Sequence, residues 1–249
     1  MRPVTIKMGG IAGQHAAGIG VIAAADADQL VVVHGGGNQV AEWSRRLGIT
    51  PRIHDGLRVT DPATMEVAAA VLGGLVNTRL VAALAAAGRP AIGLTGVDAD
   101  LLVLRRREPD LGEVGEVVDA NPAILDTQLR AGLTPVVASL GRDAAGALLN
   151  VNADEVAGAI AAARGGLLLL CTDVAGVQLD GRVVERVDAD VAERMLGDGT
   201  ASAGMRPKLR AALAAARAGC EVRIVDGRSS NALASALVGT PTGTLVTVS

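Results

Sequence analysis

The stretch Leu30–Gln39, LVVVHGGGNQ, decides how the rest of the chain reads. Four apolar residues, three of them β-branched, predict a short strand buried on both faces. Gly35, Gly36 and Gly37 follow, and then NQVAEWSRRLG, a run compatible with a helix. Without Cβ atoms the three glycines let a ligand approach their N–H groups closely. A glycine turn between a strand end and a helix start is a seat for phosphate or carboxylate. The same turn is also an ordinary strand–helix connection with nothing bound, and the motif alone leaves both readings open.

Outward from this unit, strands and helices alternate. Pro3–Met8 reads as a strand broken by Gly9-Gly10, and Ala16–Ala27 as an Ala-rich helix. After Leu30–Val33, a helix over Gln39–Leu47 ends at Gly48. Arg52–Thr60 reads as a β-hairpin turning at Asp55-Gly56. Asp61 and Pro62 suit the N-cap and first position of a helix running to about Ala87. Ala91–Leu94 is a strand, and 95–119 reads as turns with short polar-edged strands. A helix over Pro122–Ala131 leads to strand Thr134–Ser139. Later helices are expected at Ala153–Ala163, Ala189–Leu196, Met205–Ala218 and Ser230–Leu237. The remaining strands are Gly166–Thr172, Glu221–Val225 and Gly243–Val248. The pattern predicts a three-layer α/β/α sandwich around a mainly parallel central sheet. A change of character near Gly141 puts a lobe boundary between about 139 and 165, giving lobes 1–145 and 146–249.

Composition narrows the function. Of 249 residues half are apolar and a fifth charged, which makes a globular chain. The net charge of −3 has no basic block, and there is no Phe, no Tyr and one Trp, Trp43. Nucleic acid is therefore excluded as a partner, for want of both charge and stacking surface. No apolar stretch is expected to approach the ~20 residues that span a bilayer, and MRPVTIKMGG enters a strand directly, so a cytoplasmic protein is expected. Cys171 and Cys220 sit beside apolar runs and read as buried thiols.

The basic residues are more informative, because all but two are arginine: only Lys7 and Lys208 are lysine. One lies beside a glycine turn and the other in the first turn of a helix, where a cation opposes the helix dipole by roughly 0.3–1 kcal/mol. Both are places where a phosphate would sit, and a compact ammonium suits a transferring phosphoryl group. In a parallel sheet the ends at Gly9-Gly10, Gly35–Gly37 and Asp173–Gly176 share one crevice. None is a Walker loop or a G-x-G-x-x-G turn. In NVNADE (150–155), Asn152 and Glu155 read as a capping box and Asp154 suits the helix dipole, which leaves Asn150 without a structural purpose.

Taken together, TIKMGG, VVVHGGGNQV, GLRVTDPATMEV, NVNADEVAGAIAAA, TDVAGV and AGMRPKLRAALAAARAG resemble the amino acid kinase superfamily and, within it, the kinases of N-acetyl-L-glutamate. The six stretches keep the family's order over nearly the whole chain. The resemblance implies the amino acid kinase fold, with 1–145 binding the acyl amino acid and dimerising, and 146–249 binding ATP. It implies phosphorylation of the γ-carboxylate of N-acetyl-L-glutamate in arginine biosynthesis, with Mg²⁺ carried by ATP and no metal held by the protein itself. Lys7 and Lys208 would stabilise the transferring group and Asp154 would orient them. Gly36, Gly37, Arg58 and Asn150 would hold the substrate. Gly9, Gly10, Asp173, Val174, Ala175, Gly176, Val177, Gln178, Thr200, Ala201 and Ser202 would line the phosphates and nucleotide. Ala203 stands where the family usually has glycine. GLVNTRL and IGLTGVDADLLVLRR also resemble the kinases of carrier-protein-linked 2-aminoadipate, but HDGLRVTD favours acetylglutamate. A non-catalytic effector-binding protein of the same fold is the alternative from another class. Arginine-inhibited members of the family carry an extra N-terminal helix that links dimers into hexamers. With the first strand here beginning by Pro3, the resemblance implies a homodimer joined through the Asp61–Ala87 helix and its neighbouring strand, which arginine does not inhibit.

Overall fold

The computed structural model describes residues 2–9, 16–54, 56–107, 111–179 and 181–248. The glycine Gly10, expected at the phosphate site, and Asp55 of the hairpin turn lie outside them.

The chain opens with β1 (Val4–Met8), α1 (Ala16–Ala24), β2 (Leu30–His34) and α2 (Gly37–Arg46). Next come the hairpin strands β3 (Arg52–His54) and β4 (Leu57–Val59). A continuous helix follows as α3 (Pro62–Ala68), a π-helical segment (Ala69–Val76) and α4 (Asn77–Ala86). Then come β5 (Ala91–Thr95), β6 (Leu102–Arg106), β7 (Gly115–Ala120), α5 (Ala123–Arg130) and β8 (Thr134–Ala138). Strands β9 (Leu140–Arg142) and β10 (Leu148–Asn150) precede α6 (Ala153–Arg164) and β11 (Leu167–Thr172). The last part holds β12 (Gln178–Leu179), β13 (Arg182–Val183), β14 (Arg186–Val187), α7 (Ala189–Gly197) and α8 (Met205–Arg217). It ends with β15 (Glu221–Asp226), α9 (Ser230–Leu237) and β16 (Thr244–Val246).

An eight-stranded sheet in the order β14-β16-β15-β11-β1-β2-β8-β5 forms the middle layer. Its strands from β15 to β5 are parallel, and β16 runs antiparallel to β15. Side-chain alternation sorts the core onto two faces. Val31, Val33, Leu168 and Leu170 pack with Val156, Ile160 and Leu209 of α6 and α8. Leu30, Val32, Leu167 and Leu169 pack with Ile19, Ile22, Leu80, Leu84 and Leu233 on the opposite face. That division explains why LVVVH and LLLLC read as continuous apolar runs: each strand has helices on both sides. The largest fully buried side chains are Leu and Ile, which take the place aromatic rings would hold.

Several local expectations meet their physical cause. Asp61 Oδ1 accepts from Thr64 N at 2.8 Å, with Pro62 in the first turn. Helix α2 begins at Gly37, two residues before the expected Gln39, since Gly36 forms its cap. The capping box at α6 is only half made. Asn152 Oδ1 accepts from Asp154 N and Glu155 N at 2.8 and 3.2 Å. Glu155 does not reach back to it; its carboxylate accepts from Val117 N at 2.6 Å and pairs with Arg107 at 2.8 Å. The region 95–119 supplies β6 and β7 of a separate four-stranded sheet, β10-β9-β6-β7.

The expectation of no apolar stretch near bilayer length is corrected. Pro62–Ala86 is one helix of 25 residues that holds an 18-residue window of mean hydropathy 1.8, long and apolar enough by composition. Thr64, Glu66 and the polar triplet Asn77-Thr78-Arg79 interrupt the run in the sequence. In the fold this helix packs against β5, β8, α1 and α2, with Leu72, Leu80 and Leu84 in the core.

Candidate active site

The parallel strands β11, β1 and β2 are neighbours, so their glycine-bearing carboxyl ends open on one side of the sheet. Two adjoining cavities lie there. One, of about 330 Å³, is walled by the glycine turn, the hairpin residues Ile53, Gly56, Leu57 and Arg58, Leu72, Ser139 and Asn150–Asp154. The other, of about 400 Å³, is walled by Gly9, Cys171–Asp173, Ala203, Gly204, Pro207 and Lys208. Lys7, Gly37, Asn38, Gly56, Asn152 and Asp154 belong to both.

At this junction the chain's two lysines meet one carboxylate. Lys7 Nζ lies 2.9 Å from Asp154 Oδ1, and Lys208 Nζ lies 3.1 Å from Asp154 Oδ2. The Lys208 contact is aligned as a hydrogen bond, whereas the Lys7 contact is ionic and off that line. All three groups are at most 8% exposed. Three elements bring them together: β1 carries Lys7, the capped first turn of α6 carries Asp154, and the first turn of α8 carries Lys208. Burial alone would push the Asp154 carboxyl up, but the two ammonium groups outweigh it and hold the carboxyl below its ordinary range. Burial pulls Lys208 down from 10.5, against the opposing pull of Asp154. Among the described residues, two cations on one anion leave a buried positive charge with no ion-pair partner, and such a charge is costly unless something pairs with it. The cluster is therefore electrostatically complete only when a further anion enters the junction.

The smaller cavity holds Gly36, Gly37, Arg58 and Asn150, the residues expected at the substrate. Arg58 Nη2 donates to the Gly37 carbonyl at 2.6 Å, which ties the hairpin over the glycine turn. Its Nη1 is buried with no partner among the described residues. Asn150 donates from Nδ2 to Thr60 Oγ1 at 3.2 Å, and that hydroxyl donates to the Arg58 carbonyl at 2.8 Å. Gly36 must lack a side chain, because a Cβ there would lie 2.7 Å from Leu72 Cδ2.

The nucleotide expectations divide. Asp173 is on the wall of the larger cavity. Val174 packs against the core and Ala175 and Gln178 are exposed. Gly176 lies under the Thr244 and Val183 side chains. Val177 is a core residue whose N–H donates to Thr244 Oγ1 at 2.9 Å and whose carbonyl accepts from Val184 N at 2.9 Å. Ala201 is also core, and Thr200 N donates to Asp198 Oδ1 at 2.8 Å. The Ser202 carbonyl accepts from Met205 N and Arg206 N at 2.9 and 3.0 Å, which starts the helix that carries Lys208. Ala203 sits in ordinary backbone: the described non-glycine residues with positive φ are Ala99 and Asp100. An alanine there needs no glycine conformation, and Gly56 (φ 80°) packs against its carbonyl instead. Cys171 and Cys220 are buried free thiols, and burial pushes Cys171 up to about 12.

Sequence reasoning missed Leu72, Ser139 and Asn152 as cavity walls. Ser139 was findable, since a polar residue directly after an apolar parallel strand lies where such sheets bind ligands.

Comparison with known proteins agrees with this geometry. The amino acid kinase family model matches residues 13–226. The acetylglutamate kinase of Rubrobacter xylanophilus is 44% identical over 249 residues, covering 99% of this chain and 97% of its own. That of Methanopyrus kandleri is 45% identical over 210 residues, covering 80% and 85%. A crystal structure from Streptococcus mutans superposes with a TM-score of 0.84 at 30% identity, covering 99% of this chain and 98% of that one. The chain belongs to the amino acid kinase family.

Proposed function

We infer that this chain transfers the γ-phosphoryl group of ATP to the γ-carboxylate of N-acetyl-L-glutamate, giving N-acetyl-L-glutamyl 5-phosphate and ADP. The observation that carries the reading is the convergence of Lys7 and Lys208 on Asp154 at the junction of two cavities. Near-full-length similarity to acetylglutamate kinases supplies the substrate.

A carboxylate oxygen attacks the γ-phosphorus in line, the bond to the β,γ-bridging oxygen breaks, and ADP leaves. The carboxylate is already ionised at neutral pH, so no general base is required. Catalysis is then positioning and charge neutralisation. Lys7 and Lys208 meet the transferring oxygens, Asp154 aims both ammonium groups, and the N–H groups of Gly9, Gly36 and Gly37 complete the cradle. Arg58 and Asn150 hold the substrate carboxylate in the smaller cavity. The larger cavity takes the nucleotide phosphates, with Asp173 on its wall. Carried by ATP, Mg²⁺ would offset phosphate charge in this cavity, where Asp154 is occupied by two ammonium groups and Asp173 is a further carboxylate on the wall. On this reading 1–145 supplies most of the acyl site, with Asn150 reaching it from 146–249, and 146–249 supplies most of the nucleotide site.

We assign the chain a place in cytoplasmic amino-acid biosynthesis, working as a homodimer. Support for the dimer comes from exposed apolar side chains on the second sheet, Val103, Val118 and Leu148 at 46, 58 and 43%, beside the apolar helix 62–86.

The test is an ADP-release assay with N-acetylglutamate, glutamate and 2-aminoadipate side by side. Turnover with N-acetylglutamate at least about tenfold above the others in kcat/KM supports the reading. Preference for either competitor, or no turnover, overturns it.

A further inference from the structure

His34 ends β2 one step before the glycine turn and is 1% exposed. Its ring is held at both nitrogens. Nδ1 lies 2.9 Å from the Gly35 carbonyl and Nε2 lies 3.0 Å from Asn77 Nδ2. The same Asn77 nitrogen is 2.9 Å from the Val136 carbonyl. It also lies 3.4 Å from the Leu94 carbonyl. Carbonyls only accept, so that nitrogen is the donating amide group, and of its two hydrogens one serves Val136 and the other lies nearer Nε2 than the longer Leu94 contact. Nε2 is therefore bare, and the ring's single proton sits on Nδ1 and donates to Gly35. Burial agrees, pulling the imidazole down to about 4.

The Gly35 carbonyl and the Gly36 N–H share one peptide plane and point in opposite directions. His34 lies off the wall of the 330 Å³ cavity, whereas Gly36 is on it. Holding the carbonyl against His34 thus turns the Gly36 N–H toward the cavity side, and no described residue accepts from it. Two further features keep the arrangement in place. Leu72 and Val76 of the π-helical segment close on Gly36, and Asn77 follows that segment directly. On β5, Gly93 makes room for the amide, since a Cβ there would lie 1.9 Å from Asn77 Oδ1.

We propose that His34, held as the neutral Nδ1–H tautomer by Asn77, is a positioning residue that aims the Gly36 N–H at the reacting anion. The proposal rests on the phosphoryl-transfer reading and adds to it a group that touches neither substrate nor nucleotide. An imidazolium would set Nε2–H against the Asn77 NH₂, and an Nε2–H tautomer would remove the donor from Gly35.

Two substitutions separate the two ring nitrogens. His34→Asn keeps an amide donor near the Nδ1 position, whereas His34→Gln places its amide near Nε2 and leaves Gly35 without a donor. The Gln variant should lose about 10²-fold in kcat, the size of one misaimed donor, with the KM for ATP within about threefold of the parent. The Asn variant should recover at least about tenfold of that loss. Nitrogen NMR of the parent should show His34 as the Nδ1–H tautomer from pH 6 to 8, assigned by its absence in the variants. If the Gln variant does not fold, Asn77→Asp, which replaces the donor with a carboxylate of the same shape, carries the same expected loss. A Gln variant with parental kcat, an Asn variant no better than Gln, or an Nε2–H ring overturns the proposal. A parent without acetylglutamate turnover overturns the functional reading and this inference with it; an active parent with an undisturbed Gln variant overturns this inference alone.

Discussion

Replacing Asp154 with Asn keeps the shape of the side chain and removes its charge. The two ammonium groups at 2.9 and 3.1 Å then face each other without a shared anion. Removing one partner of a buried ion pair costs about 3–5 kcal/mol, and the Asn oxygen still accepts from one lysine, so the lower end applies. For a chain of this length that is a fall in melting temperature of about 6–12 °C. In the parent, the depressed Asp154 carboxyl contributes stability that is complete at neutral pH. It is lost as pH falls through the folded carboxyl's value, below the ordinary 3.8. Lys208 has the opposite sign: its folded value lies below 10.5, so the unfolded chain binds the proton more readily and stability rises with pH. Without Asp154 the opposing pull on Lys208 is gone and burial acts on it alone, so the deficit of the Asn variant should shrink as pH approaches 10.5. Anion binding should move the other way from stability. At an effective dielectric of about 20, a unit charge ~5 Å from a phosphate oxygen is worth about 3 kcal/mol, so ATP should bind at least about tenfold tighter. Turnover should still fall by about 10²-fold or more, because the ammonium groups are no longer aimed. Calorimetric melting with and without ATP, titration of ATP, and kcat measure all of this on one protein. Weaker ATP binding in proportion to the lost turnover would refute the reasoning and leave Asp154 a purely structural residue.

Arg58→Ala should raise the KM for N-acetylglutamate tenfold or more, from a lost charge-assisted pair of about 1.5–3 kcal/mol, and leave the KM for ATP unchanged. Steady-state kinetics in both substrates checks it, and equal losses would make the residue structural. Asn152→Ala removes the acceptor of two N–H groups at the start of α6 and should cost about 1 kcal/mol in denaturant unfolding. Light scattering should give a mass near twice 24.9 kDa, and charging Val118 to Glu should shift it toward one chain.

The parts of the fold legible in the sequence are those fixed by neighbours in the chain. LVVVH with its glycines, Asp61-Pro62 at a helix start, and the hairpin at Gly56 each carry their own local chemistry. The second sheet was read only as turns and short strands, because β6 pairs with β9 nearly forty residues away, Val103 opposite Arg142. The π-helical segment was invisible for a related reason. AAVLGGLV suits any helix, and what accompanies the wider turn is remote contact, Leu72 and Val76 on Gly36 and Asn77 on His34. Glu155 fits a capping box in sequence, yet β7 and Arg107 take its carboxylate. Lys7 and Lys208 stood out because arginine fills every other basic position, and Asp154, which sequence alone explains as a favourable charge at a helix start, proves to be where they meet.

The central claim is that two compact ammonium groups neutralise the transferring phosphoryl group. Replacing each lysine with arginine keeps the charge but exchanges a point for a wide planar fork in a junction that is at most 8% exposed. Single-turnover formation of acyl phosphate, with ATP affinity measured alongside, tests this most directly. Lys7→Arg and Lys208→Arg should each slow phosphoryl transfer by about 10²-fold or more while ATP still binds. Near-parental transfer in either variant would contradict the claim for that lysine.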